Sequence, residues 1–99
     1  MPTVLSVHTL YTPSIQNTLL VVYRKPTQPV TIGCRIRIYN GTSPHSFMAR
    51  LGHLYHISET QYIFKLQHCE GGDQGDQLIA VYKDWARISM FYRFLNYVW

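Results

Sequence analysis

Charged side chains are scarce in this chain: Asp, Glu, Lys and Arg make up 14% of the 99 residues, against about a quarter in a typical soluble domain. The charge that is present leans positive, nine Lys and Arg against five Asp and Glu, a formal net charge of +4. No dense basic run accompanies it, Arg24-Lys25 being the nearest approach. What remains is a weak general attraction for acidic partners such as nucleic acid or an anionic membrane. Two cysteines, Cys34 and Cys69, are too few for a disulfide framework of the secreted kind. The opening Met-Pro-Thr-Val-Leu-Ser has neither a basic n-region nor a continuous apolar h-region, so no secretory signal is visible. Long apolar runs are missing too: the longest, Leu19–Tyr23, is far too short to span a bilayer. The expectation is a soluble intracellular protein, cytoplasmic or nuclear, with both thiols free.

Aromatic residues are plentiful, with eight Tyr, four Phe and two Trp, and hydrophobic residues reach 46%. That is enough for one core in one domain spanning residues 1–99. Low charge combined with large, partly polar rings suggests that some aromatic surface meets a partner. Little Lys or Glu and much Tyr, Thr, Gln and His also suits a small viral accessory or regulatory protein.

The clearest element is Thr31–Tyr39. Ile32, Cys34, Ile36 and Ile38 share one parity, while Thr31, Arg35, Arg37 and Tyr39 share the other. A strand turns alternate side chains to opposite faces, so one face is apolar and the other basic. Asn40-Gly41 then suits a type I′ hairpin turn. Further strands are expected at Val4–Tyr11, with Leu5, Val7 and Tyr11 facing one way, and at Leu19–Tyr23, read as covered on both faces. Phe47–Ile57 changes phase at Gly52, where a bulge would restore it. Gln61–His68 and Leu78–Tyr82 complete the set, separated by the loop Glu70–Asp76. From Asp84, a plausible N-cap, to Trp99 the apolar residues gather on half of a helical wheel. The expected fold is therefore mostly β (α+β): an antiparallel sandwich or barrel of about six strands with an amphipathic C-terminal helix at 84–99.

No catalytic constellation emerges. His53, His56, His68 and Cys69 invite a metal reading, but the pairing of close-spaced ligands that marks zinc sites is incomplete. Cys69 beside His68 and Glu70 lacks a nucleophile elbow, and adjacent strand residues point apart. Glu70, Asp73 and Asp76 do not match the calcium-loop spacing, and a solvated loop explains them. Pro26-Thr27-Gln28-Pro29 matches P-x-x-P and Asn40-Gly41-Thr42 matches a glycosylation acceptor; a loop spacer and a turn account for both. Cys34, in phase with isoleucines, reads as a small core residue.

Two binding surfaces remain. The aromatic half of the C-terminal segment is wider than one packing contact needs, so Trp85, Phe91, Phe94 and Trp99 are candidate anchors for a second copy or a partner protein. Its polar half lacks the basic rim of a lipid-surface helix. Arg35, Arg37 and Tyr39 on one strand, with Tyr23, Arg24 and Lys25 ending another and Arg50 expected nearby, form a basic face with stackable rings, as sequence-tolerant nucleic-acid binders use. Against it stand the missing nucleic-acid consensus motifs and the habit of exposed strands to carry charge for solubility. The leading expectation is a non-enzymatic interaction module, self-associating or partner-binding. Nucleic-acid binding is the alternative, and no cofactor, metal or small-molecule substrate is indicated.

Overall fold

The computed structural model describes residues 4–13, 18–68 and 77–88. Its strands are β1 (Leu5–Pro13), β2 (Thr18–Val22), β3 (Val30–Thr31), β4 (Arg35–Asn40), β5 (Ser46–Ile57), β6 (Gln61–His68), β7 (Gln77–Tyr82) and β8 (Ala86–Arg87). Six of them close a barrel in the order β1-β2-β7-β6-β5-β4, and β3 pairs with β8 in a separate two-stranded sheet. Over the described residues the protein is thus mostly β, with almost no helix.

Alternation builds the core as the sequence pattern requires. Leu5, Val7 and Thr9 of β1, Leu20 and Val22 of β2, Ile36 and Ile38 of β4, Tyr62, Phe64 and Leu66 of β6, and Ile79 and Val81 of β7 are all buried. Small barrels fill their interiors with side chains in this way. On β5 the inward set is Ala49, Leu51 and Leu54. The odd spacing from Leu51 to Leu54 is accommodated by register irregularities against β6 on both sides of Leu54. Gly52 lies at the first of them, where an added Cβ would stand 2.6 Å from the Lys65 carbonyl oxygen.

Several expectations are corrected. Antiparallel pairing predominates in the barrel as expected, in β1–β2, β4–β5, β5–β6 and β6–β7, but the sheet is mixed: β1 runs parallel to β4, β2 to β7, and β3 to β8. Two closures of the barrel are thereby parallel pairings between strands distant in sequence. Thr31–Tyr39 is not one strand. Val30 is drawn into the core as part of β3, the chain turns at Gly33 (φ +88°), and β4 begins at Arg35. Cys34, left at that turn, is half-buried against the core instead of within it. The turn at Asn40-Gly41 is not type I′, since only Gly41 takes a positive φ (+60°) and the connection to β5 runs on to His45. The Gly41 N–H is held instead by the Thr9 carbonyl oxygen at 2.7 Å, and Ser43 N–H donates to Asn40 at 3.2 Å. Tyr11 is 54% exposed although its parity is inward. Leu19 and Val21 are only half-buried, so β2 is not covered on both faces.

The helix from Asp84 is not seen. Lys83–Trp85 form one 3₁₀ turn, in which Asp84 sits inside the first turn rather than at the cap, and Ala86–Arg87 extend as β8. Tertiary pairing overrides helical periodicity at this point: β8 finds backbone partners on β3, and Trp85, Ala86 and Ile88 pack against the barrel core. The β3–β8 pair thus closes the end of the barrel at which β4 and β6 begin. The remainder of the expected helix, residues 89–99, lies outside the described residues, as does the acidic loop Glu70–Asp76.

Candidate nucleic-acid interface

The outward face of β4 carries Arg35, Arg37 and Tyr39, each half-buried, while the intervening Ile36 and Ile38 are fully buried. Parallel pairing sets β1 beside it, with Ser6 opposite Arg37 and His8 opposite Tyr39. The His8 and Tyr39 rings stack, their centroids 5.1 Å apart and their planes 18° from parallel. Beneath them Thr9 Oγ1 donates to Asn40 Oδ1 at 3.4 Å, a long contact on a fully buried threonine.

The other flank of β1 faces β2 in antiparallel register. Tyr23, just past the end of β2, donates its N–H to the His8 carbonyl at 3.2 Å and so continues the same row. Its ring is 40% exposed, and the Arg24 guanidinium carbon lies 5.4 Å from the ring centroid. Arg24 and Lys25 are both exposed. On the far side, β5 brings Arg50 opposite Arg35 and Ser46 opposite Tyr39. Arg37 Nη1 donates to Ser46 Oγ at 3.0 Å, and Arg50 Nη1 donates to the Gly33 carbonyl at 2.9 Å. Arg50 therefore helps to pin the turn that splits β3 from β4.

This face has a definite electrostatic character. Arg35 and Arg50 are directly opposed across two strands, and like charges so placed destabilise a sheet. The carboxylates within the described residues, Glu59 and Asp84, lie elsewhere, with Thr60, Tyr82 and Lys83 around an open depression of about 340 Å³. The two groups proposed from sequence, Arg35-Arg37-Tyr39 and Arg24-Lys25, are thus brought to one surface. Sequence reasoning left His8 out of that set: its parity with Ser6 was visible, but its partner Tyr39 was not.

The aromatic anchors fare differently. Trp85 is half-buried against the core and meets Tyr82 edge-on, with centroids 4.8 Å apart and planes at 84°. Part of its ring thus packs on the core and on Tyr82. Phe91, Phe94 and Trp99 lie outside the described residues. Around the barrel from the basic face, Leu10, Val21, Ala80 and Ile63 stand in register on β1, β2, β7 and β6; Leu10 is exposed, Val21 and Ile63 are half-buried, and Ala80, like Leu78, is buried.

Among the described residues no group of three or more His, Cys, Asp or Glu could hold a metal ion, and His53 and His56 are exposed. No helix of the described residues is long and apolar enough to cross a membrane. Comparison with protein families, with characterised proteins and with solved structures finds no match to this chain.

Proposed function

We propose that this barrel binds nucleic acid through the outward face of β1, β4 and β5 and the chain leaving β2. One observation carries the reading. Pairing of β1 with β4 sets a stacked His8–Tyr39 pair between two sources of cations, Arg35, Arg37 and Arg50 on one side and Arg24-Lys25 on the other. Arginines contact phosphate through several donors at once, and exposed rings offer π-faces to bases. An opposed Arg35–Arg50 pair costs stability that a polyanion would repay, because phosphate between them turns repulsion into attraction.

The test is affinity measured against salt. For a single strand each phosphate contact contributes about 0.7 to the slope of log K against log salt, so Arg35→Ala with Arg37→Ala lowers that slope by about 1.4. An unchanged slope and affinity in the folded double variant removes this surface from consideration.

A second reading, contact with a second copy or a partner protein, draws support from Leu10, 48% exposed, with the half-buried Val21 next to it in register on β2. Apolar area of that kind favours association through burial. Light scattering on the full chain reads it directly: a dimer mass that persists in high salt and is lost in Leu10→Glu supports this contact.

A further inference from the structure

Resting on the nucleic-acid reading, we propose that the ligand is single-stranded and that its bases stack on a row of rings crossing the strands, Tyr39, His8 and Tyr23. The row follows from register. His8 pairs with Tyr39 across β1 and β4, and Tyr23 is tied to His8 by its backbone hydrogen bond. Tyr82 stands next in register, two residues beyond Ala80, but its ring meets Trp85 and borders Glu59 and Asp84, so the track ends at Tyr23. Tyr23 is 40% exposed, with the Arg24 guanidinium over its ring.

Beside this track of rings runs a track of cations. Arg37 precedes Tyr39 by two residues on the same face, an offset of about 6.6 Å along a strand. Across β1, the chain beyond Tyr23 leaves as Arg24-Lys25. Ser46 fixes one guanidinium nitrogen of Arg37, which sets its plane and leaves its other N–H groups for an anion. Rings in one line and cations in a parallel line, a few ångströms aside, match a strand whose bases and phosphates are displaced laterally from each other. A duplex presents phosphates but hides the faces of its bases, and could use only the cations. An anionic membrane would use the cations, with no requirement that the rings stand in one row beside them.

The experiment is fluorescence anisotropy of the full chain with end-labelled 12-nucleotide probes: dT12, U12, an abasic 12-mer of equal charge, and a blunt 12-base-pair duplex. Stacking of a base on an aromatic side chain is large enough that dT12 or U12 should bind about tenfold or more tighter than the abasic strand. Comparison of dT12 with U12 separates DNA from RNA, and a preference for either supports the proposal. Tyr23→Ala, remote from the core, should lose about fivefold or more on the intact strand and nothing on the abasic one. His8→Ala with Tyr39→Ala should reduce the preference for the intact strand to the share that Tyr23 supplies while the salt slope stays unchanged, whereas Tyr39→Phe should retain binding. Intact and abasic strands bound equally by the wild-type chain overturn the stacking inference while sparing the nucleic-acid reading. The same holds for duplex bound as tightly as dT12. Failure to bind any probe at low salt overturns both, and binding only of vesicles rich in phosphatidylserine replaces them with a membrane surface.

Discussion

Replacing Gly52 with alanine isolates the most constrained backbone contact in the barrel. The added Cβ would lie 2.6 Å from the Lys65 carbonyl oxygen and 3.3 Å from its carbonyl carbon. Ordinary contact needs about 3.5 Å, so β5 and β6 must separate by close to an ångström at this point. Neither strand is free to move. Lys65 is paired on its other side with Leu78 of β7, and Leu51 is tied through backbone hydrogen bonds to Gly33 and Cys34. Overpacking of this kind costs about 1–3 kcal/mol. Each kcal/mol lowers the midpoint of a domain this size by about 4–8 °C, so Gly52→Ala should melt about 10 °C below the parent. Thermal and urea unfolding followed by circular dichroism provide the reading. Gly41→Ala is the control, because a Cβ there meets nothing within 4 Å and only the φ of +60° opposes it. Asn tolerates that conformation, so Gly41→Asn should recover most of the loss, while Gly52→Asn should recover none. A Gly52→Ala protein melting within about 2 °C of the parent would refute the argument, since a shift that small corresponds to well under 1 kcal/mol.

Phe64 is fully buried at the centre of the core, and Phe64→Ala should cost about 3–5 kcal/mol, read as a lower urea midpoint with little change in m. Trp85→Ala should cost about 2 kcal/mol because the ring packs on the core, yet leave probe affinity unchanged at temperatures where the variant is folded. A variant of full stability that lost partner or probe binding would restore Trp85 as an anchor. Arg35→Gln should raise stability by a few tenths of a kcal/mol at low salt by relieving Arg50, an advantage that disappears in high salt, while weakening nucleic-acid binding.

Period-2 alternation made the barrel wall legible. Ile36 and Ile38, or Tyr62, Phe64 and Leu66, declare an inward face whatever lies beside them, and Gly52 marks a break in phase that only a bulge can mend. The tail failed for the complementary reason. Trp85, Ala86 and Ile88 satisfy a helical wheel, yet the backbone N–H and C=O groups of Ala86 and Arg87 find partners on Val30 and Thr31, which alternation in the tail cannot reveal. Local pattern states which face is wet, and it is silent about which wet faces become neighbours.

The binding surface depends on that missing information. Arg35, Arg37 and Tyr39 are readable as one face of one strand, and taken alone they are an ordinary solvated edge. Their meaning changes when β1 lies parallel to β4, because that pairing joins His8 to Tyr39 across 31 residues and carries Tyr23-Arg24-Lys25 with it. Parallel partners need long crossovers, so no short turn announces them as Asn-Gly announces a hairpin. Had β1 slipped by a single residue against β4, His8 would face the core and no stack would form. The register of one parallel pair therefore fixes the barrel's closure and its aromatic–basic surface together. Substitutions that loosen the Thr9–Asn40–Gly41 contacts beneath that pair should weaken binding before they unfold the protein. Thr9→Val is the gentlest of these, since it preserves volume and removes only the hydroxyl. Loss of dT12 affinity with an abasic-strand affinity left intact would show that the stack, and not the charge, depends on this register.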